Sequence, residues 1–187
     1  IASQGLYCRS DEKYMVTRKR ITIDGKVVTS ASQKADVDKN EILLDGKPFV
    51  VKKQIYLMLH KPKGYVSATE DKKQQTVLEL IPAELKGRDI FPAGRLDKDT
   101  EGFLLITDDG ALAHKLLSPR YHVDKTYHVT AAGKVTDDDL KQLEEGVDIG
   151  EKALTLPAKA EMIVSGSDIS EVLLTIQEGK FHQVKRM

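Results

Sequence analysis

Hydrophobic and polar positions along the first 50 residues change from a helical to a strand-like spacing. Residues 1–20 mix apolar and charged side chains in the manner of short amphipathic helices, and we expect two of them. An apolar run at 21–23 then leads into Asp24-Gly25, and a second run at 42–44 leads into Asp45-Gly46. Because an Asp-Gly pair between β-forming residues favours a tight hairpin, this segment predicts a compact β element behind the helices.

The remainder of the chain contains apolar runs of strand length between helical segments. The predicted strands are 55–59, 125–130 and 172–176, and the predicted helices are 76–81, 110–117 and 136–146. Pro82 stops the first of these helices, whereas Thr136 and Asp139 form a capping box for the last one and Gly146 ends it. Since strands and helices do not alternate as regular βαβ units, we predict an α+β fold with a mixed, mostly antiparallel sheet flanked by helices.

The net charge is zero over the whole chain but is unevenly distributed. Residues 1–67 hold 13 Lys and Arg against 7 Asp and Glu, whereas residues 68–187 hold 16 against 22. This asymmetry indicates a basic binding module joined to a more acidic body, although an unevenly charged, solvated surface explains it equally well. The single cysteine, Cys8, excludes an internal disulfide framework and favours a reducing, cytoplasmic location. No stretch reaches the roughly 20 apolar residues of a membrane helix, so we expect no membrane association.

The two ends of the sequence do not look like natural termini. The chain opens at Ile1 without a methionine and stops at Met187 directly after a strand-like segment. We therefore expect a fragment of a longer polypeptide, with further residues at both ends.

The segment AGRLDKDTEGFLLITDDG, residues 93–110, places three acids directly before an apolar run. Asp97, Asp99 and Glu101 repel one another, so a metal, a helix cap or a fixed cation has to organise them. With Gly102 and Asp108 they match a twelve-residue calcium loop. That loop needs a helix on each side, and the Pro and Gly residues just upstream argue against one.

Besides a calcium site, two other hypotheses explain the three acids. Capping accounts for some of them, because Asp108 is well placed to cap the helix that follows Gly110. A catalytic carboxylate is the other reading, since Asp97 lies on a loop that feeds a buried strand. An ionised nucleophile in a partly dry pocket needs a cation nearby, and Arg95, Lys185 or Arg186 can supply one.

Four blocks of sequence, in order, resemble the pseudouridine synthases, in the RsuA branch of ribosomal small-subunit enzymes. The blocks are YLMLHKPKGYVSAT, GRLDKDTEGFLLITDDG, SPRYHVDKTYHV and EGKFHQVKRM, which lie between residue 56 and residue 187. The resemblance implies that Asp97 is the catalytic nucleophile and that Tyr127 stacks on a flipped-out base. It also implies that Lys185 pairs with Asp97, that Arg95 lines the RNA path and that the catalytic domain spans 55–187, truncated at its C-terminal end.

Residues 1–51 resemble the small RNA-binding module of ribosomal small-subunit protein four. The glycine that usually precedes the first strand is absent, and Lys19 stands in its place. If this module binds RNA, basic side chains within it are expected to contact phosphates, and two further basic residues of the catalytic blocks are candidates for RNA contact. These residues are Arg9, Arg18, Lys19 and Arg20 in the module and Lys61 and Arg186 beyond it. For Lys61, which lies in a tight turn of the first block, a contact to the catalytic loop is the alternative to RNA.

The activity implied by the resemblance is isomerisation of a specific uridine of 16S ribosomal RNA to pseudouridine. The expected partner is 16S rRNA or a partly assembled small ribosomal subunit, and the enzyme is expected to be a monomer without metal or cofactor. His60, His122 and His182 lack the spacing of a zinc site and have no cysteine partners. Two alternatives stay open: a sister enzyme that modifies 23S rRNA, and a non-catalytic RNA-binding factor in ribosome assembly.

Overall fold

The computed structural model describes residue 4 and residues 6–187, which form two compact units. The first unit ends at Gly110 and the second runs Ala111–Met187. Helices and antiparallel sheets occur in both, which confirms the α+β class. Every strand pair in the described part is antiparallel, and one isolated parallel bridge joins Val66 to Thr76. Over the same residues no helix combines the length and the apolar character that crossing a bilayer requires.

The first unit begins with one helix and a four-stranded sheet. Its elements are α1 (Arg9–Thr17), β1 (Ile21–Ile23), β2 (Lys26–Val27), β3 (Ile42–Leu44) and β4 (Lys47–Pro48), with sheet order β2-β1-β3-β4. Both Asp-Gly pairs form the predicted turns, since Asp24, Gly25, Asp45 and Gly46 all have positive φ. Of the two helices predicted within residues 1–20, the structure shows α1, and part of the segment before it lies outside the described residues.

The small helix and the hairpins share one hydrophobic core. Met15 and Val16 of α1 pack against Ile21 and Val28, and all four are buried. Lys19, in the place of the usual glycine, takes the left-handed conformation at φ 57°. The backbone therefore keeps the turn that a glycine would favour, at the cost of about 1 kcal/mol of strain for a residue with a side chain.

The second part of the first unit is a three-stranded antiparallel sheet with short 3₁₀ turns. The elements are β5 (Tyr56–Lys61), the turns Val77–Leu80 and Ala83–Leu85, β6 (Phe91–Ala93) and β7 (Gly102–Thr107), with sheet order β5-β7-β6. Thr76 and Glu79 form the capping box of the first turn, which ends before Pro82 as predicted. Leu104 and Ile106 of β7 pack with Ile55, and this core carries the loop that precedes β7.

The second unit is built around another three-stranded antiparallel sheet. The elements are α2 (Gly110–Leu117, starting at the last residue of the first unit), β8 (Lys125–Ala132), α3 (Asp137–Glu145), β9 (Lys159–Ser165), β10 (Ile169–Ile176) and α4 (Gln183–Arg186), with sheet order β8-β10-β9. Thr136 accepts the predicted hydrogen bond from the Asp139 amide, and α3 ends at Gly146. A Cβ at Gly146 would lie 2.4 Å from the Thr155 carbonyl oxygen, so only glycine fits there.

Candidate active site

The acidic segment forms a loop between β6 and β7. Gly94 and Gly102 frame it with φ values of 119° and 134°, a region that a residue with a Cβ rarely adopts. Asp97 is half-buried near the middle of the loop, whereas Arg95 is exposed. The loop thus leaves and rejoins the sheet at two glycines and presents one partly desolvated carboxylate between them.

Lys61 holds this loop from beneath. It is the last residue of β5, and its side chain is fully buried. The Nζ ammonium donates hydrogen bonds to the carbonyl oxygens of Asp97 at 2.9 Å, Lys98 at 3.3 Å and Thr100 at 2.8 Å. A fourth bond reaches the Pro62 carbonyl oxygen at 3.1 Å. Because these are charge-assisted bonds in a dry site, they fix the backbone of residue 97 strongly.

Two more residues of the HKPKGYVS block support the same loop. The amide of Gly64 donates to the Lys98 carbonyl oxygen at 2.8 Å. The Ser67 hydroxyl donates to the Leu96 carbonyl oxygen at 2.9 Å and accepts from the Leu96 amide at 3.1 Å. The first sequence block therefore supports the backbone of the second.

The buried ammonium of Lys61 is also the cation that the three acids require. Burial lowers the pKa of Lys61, and the negative charges of Asp99, Asp97 and Glu101 oppose that shift. The sequence indicated Arg95 or the C-terminal basic residues for this role and left Lys61 as a contact either to the catalytic loop or to RNA. The structure supports the contact to the loop, because the ammonium is fully buried, is bonded to four carbonyl oxygens and has no surface to offer RNA.

The calcium and capping alternatives do not fit the fold. Strands, not helices, flank the acidic loop, and Asp108 at its twelfth position pairs with Arg88 instead of capping α2. Among residue 4 and residues 6–187, no group of three or more His, Cys, Asp or Glu is placed to hold a metal ion. The acids are organised by the loop and its lysine.

Arg88 and Asp108 form a second buried cluster in the first unit, which the sequence did not reveal. Their side chains are 5% and 15% exposed. Arg88 donates through Nε to Asp108 at 2.9 Å and through Nη1 to the Lys52 carbonyl oxygen at 3.1 Å. Asp108 also accepts from the Ile55 amide at 2.7 Å. The pair thus fixes the segment that connects the small basic part to β5.

Removal of the Asp108 charge should lower stability in a pH-dependent way. Burial opposes ionisation, but bonds from the Ile55 amide and Arg88 outweigh it and lower the Asp108 pKa. The contribution is therefore complete above the ordinary carboxyl value of about 4 and is lost as the pH falls through the lowered pKa. We expect Asp108→Asn to be less stable at pH 7 by about 3 kcal/mol, since Arg88 stays buried without its partner.

Urea denaturation of the wild type and Asp108→Asn between pH 7 and pH 3 measures this difference. The gap in unfolding free energy should be widest at pH 7 and shrink below about pH 4. A gap that stays constant over the whole range would contradict an ionised Asp108 in the folded protein.

The second unit carries the other catalytic candidates. Tyr127 lies on β8 opposite Leu174, is half-buried and packs against the cluster of Ala158, Leu174 and Ile176. Lys185 lies on α4, is exposed and borders a cavity of about 550 Å³ against the inner face of the sheet. Val184, its neighbour, packs against the same cluster as Tyr127. Tyr127 and the helix that carries Lys185 thus pack on one core of the second unit, while Asp97 belongs to the first unit.

The guanidinium of Arg186, predicted to contact RNA, is held by groups of the second unit. It donates through Nη1 to Glu151 and to the Phe181 carbonyl oxygen, both at 2.9 Å, and through Nη2 to the Ile149 carbonyl oxygen. In the structure it joins α4 to the loop before β9, and its contact with RNA stays a prediction.

The basic residues of the small N-terminal part differ in their availability. Arg9, Arg18 and Lys19 are exposed, and the Arg18 guanidinium lies 5.4 Å from the centre of the Tyr14 ring. Arg20 instead forms a bidentate ion pair with Asp45, from Nε to Oδ1 at 2.7 Å and from Nη2 to Oδ2 at 2.5 Å. This pairing raises the pKa of Arg20. Three of the four predicted residues thus offer charge to a ligand, and Arg20 mainly braces the hairpins.

Comparison with known proteins identifies the family of this chain. The profile of the RNA pseudouridylate synthase family matches residues 55–187. The RNA pseudouridine synthase YtzG of Bacillus subtilis (strain 168) is 46% identical over 187 residues, covering 100% of this chain and 78% of that protein. Ribosomal small subunit pseudouridine synthase A of Escherichia coli (strain K12) is 42% identical over 170 residues, covering 90% of this chain and 71% of that protein.

A solved structure shows the same fold. The crystal structure of a pseudouridylate synthase superposes with a TM-score of 0.66 at 35% identity, covering 100% of this chain and 78% of that one. The chain belongs to the RNA pseudouridylate synthase family and is an isomerase. Within that family it is a pseudouridine synthase of the RsuA-like branch, as its sequence blocks indicated.

Proposed function

We propose that this protein converts one uridine of 16S ribosomal RNA to pseudouridine, with the Asp97 carboxylate as nucleophile. The observation that carries the proposal is the Asp97 loop, whose backbone is held by a buried lysine while the carboxylate stays partly accessible. Rigid placement of one reactive group on a supported loop is what nucleophilic catalysis requires. The relative named as a small-subunit enzyme supports 16S rRNA as the target.

The reaction breaks the bond between N1 of uracil and C1′ of the ribose and forms a bond between C5 and C1′. The proton on C5 leaves and N1 gains one, so atoms and electrons balance without an external reactant. Asp97 acts either at C1′, where it assists departure of the base, or at C6 of the ring. Both routes need an ionised carboxylate.

Tyr127 and Lys185 act on the same uridine in this proposal. The target base has to leave the RNA stack, which costs a few kcal/mol, and the ring of Tyr127 offsets part of that cost by stacking on the base. Tyr127 is also a candidate to take the C5 proton. Lys185 keeps Asp97 ionised by pairing with it, and Arg95 contacts the RNA beside the target.

The small N-terminal part serves as an RNA-binding module of residues 1–51 in this proposal. Its hydrophobic core runs from Tyr7 to Leu44, separate from the core that starts at Ile55. The family profile also begins at residue 55. Exposed Arg9, Arg18 and Lys19 would contact phosphates, which gives binding that weakens as salt is added. We further propose that the protein is a cytoplasmic monomer.

Incubation of the protein with 16S and 23S transcripts, each with and without ribosomal proteins, tests the target. Carbodiimide treatment followed by primer extension marks pseudouridine as a stop in the cDNA. We expect one stop in 16S rRNA, strongest with a partly assembled small subunit. A stop in 23S rRNA would identify the sister activity, and binding without any stop would indicate a non-catalytic assembly factor.

A further inference from the structure

The turn before α4 displays an aromatic ring on the surface of the second unit. Phe181 is 68% exposed, a larger fraction than any other large hydrophobic residue of residues 111–187. Its ring stacks on the His182 ring with centroids 3.9 Å apart and planes 18° from parallel. An exposed phenylalanine does not contribute the free energy that burial of its ring would give. The exposure of this pair of stacked rings therefore needs an explanation, and a ligand that covers them is one.

Buried hydrogen bonds hold the backbone of this turn. Gln183 is 4% exposed, and its Oε1 accepts from the Lys180 amide at 2.9 Å. Its Nε2 donates to Glu178 at 2.9 Å. On the other side, Arg186 donates to the Phe181 carbonyl oxygen at 2.9 Å. The residue that carries the exposed ring is therefore fixed from both directions.

Two further features show that the turn is constrained. Lys180 donates to the Leu154 carbonyl oxygen at 3.0 Å and pairs with Glu178, which ties the turn to the loop before β9. His182 has a φ of 48°, an unfavourable conformation for a residue with a side chain that persists only where the surroundings impose it. A ring presented on such a backbone loses little conformational entropy when a ligand covers it.

One exposed basic residue, Lys185, follows the ring closely along the chain and favours an anionic ligand such as a nucleic acid. Residues 179–187 contain two more basic side chains, but Lys180 pairs with Glu178 and Arg186 pairs with Glu151. Lys180 and Arg186 are engaged in holding the turn, so the exposed face of Phe181 is the group that the turn itself offers to a ligand. Four chain steps separate Phe181 from Lys185, which limits their Cα distance to about 15 Å. A ligand on the ring would therefore lie beside whatever Lys185 meets.

We propose that the Phe181–His182 stack is a platform for an unpaired RNA base next to the target uridine. This inference rests on the proposed function, because it assumes that Lys185 acts at the target. Stacking suits every base and does not read sequence by hydrogen bonds. The platform would hold a neighbouring nucleotide out of its own stack and so keep the target accessible.

The test uses RNA oligonucleotides that carry 2-aminopurine at each position flanking the target, bound by full-length protein with Asp97→Asn to stop turnover. Stacking on Phe181 should quench the fluorophore at one flanking position. Phe181→Ala should remove that quenching and weaken RNA binding about tenfold, since one stacked base is lost. Phe181→Trp should retain both, whereas Phe181→Leu, apolar but without a ring, should behave like alanine.

Salt dependence and a control variant distinguish loss of base stacking from loss of a phosphate contact or of exposed apolar surface in general. The slope of log affinity against log salt should not change in Phe181→Ala, because no phosphate contact is lost. Ile169→Ala is the control, since Ile169 is 55% exposed at the first residue of β10, and the length of that strand, about 23 Å, separates it from Ile176 at the end that leads to the turn. It should bind RNA like the wild type.

Each outcome decides the inference. Equal binding and equal quenching in the wild type and Phe181→Ala would overturn it, as would recovery of both by leucine, which would mean that apolar contact and not ring stacking holds the RNA. Turnover is assayed in parallel with protein that retains Asp97. If that protein never forms pseudouridine, the proposed function fails, whereas normal turnover in Phe181→Ala with unchanged binding rejects the platform alone.

Discussion

Asp97→Asn should abolish pseudouridine formation while RNA binding persists. Asparagine has nearly the same shape as aspartate but lacks the negative charge that a nucleophile needs, and loss of a nucleophile lowers catalytic rates by about 10⁴-fold or more. The loop should stay in place, because Lys61 and the Thr100 amide both bond to the backbone carbonyl oxygen of residue 97. Side-chain replacement leaves those bonds intact.

Release of tritium from C5 of labelled uridine measures the reaction, and filter binding measures affinity for the same RNA. Asp99→Asn is the matched control, since Asp99 is an exposed acid two positions further along the same loop. It should retain most of the activity. Appreciable turnover by Asp97→Asn would refute the nucleophile assignment. An equal loss in both variants would instead mean that the summed charge of the loop matters.

Local sequence signals were sufficient for the elements but not for the support of the site. The Asp-Gly turns and the Thr136 capping box involve neighbouring residues, so the chain determines them over a few positions. The position of Asp97 on a loop before a buried strand follows from the same kind of signal. These features are confirmed because their physical causes are local.

Lys61 and Arg88 make contacts that no local sequence signal specifies. Lys61 lies in a turn-like motif, where a lysine is ordinarily solvated, and its acceptors on residues 97–100 are 36 or more positions away. Arg88 reaches Asp108 and the connecting segment across 20 and 36 positions. No periodicity or spacing relates a donor to backbone carbonyl oxygens at such separations, because the strand pairing alone brings them together.

Lys61→Met should therefore lower both the stability and the catalytic rate of the enzyme, although Lys61 is buried beneath the loop. Methionine has similar length and keeps the apolar stem packed, but the carbonyl oxygens of Asp97, Lys98 and Thr100 lose their shared donor. Unpaired buried acceptors cost about 1–3 kcal/mol each when no water replaces the donor. We expect a loss of about 3 kcal/mol in unfolding free energy, since the loop relaxes to solvate part of the set.

Catalysis should fall as well, because the loop would no longer hold Asp97 in a single position. A displacement of about 1 Å in a catalytic group lowers the rate by about 100-fold. The change should appear in kcat with little change in KM, since Lys61 is fully buried. Lys61→Arg should not restore activity, because the wider guanidinium does not fit a space shaped for one ammonium.

Lys63→Met is the control for stability, since Lys63 is an exposed lysine in the same turn. Urea denaturation should give this variant the stability of the wild type, and Lys61→Met should unfold at a clearly lower urea concentration. Single-turnover assays at saturating RNA then isolate the chemical step. If Lys61→Met were stable and fully active, the loop would be held by Gly64 and Ser67 alone, and the buried cation would have no part in placing the carboxylate.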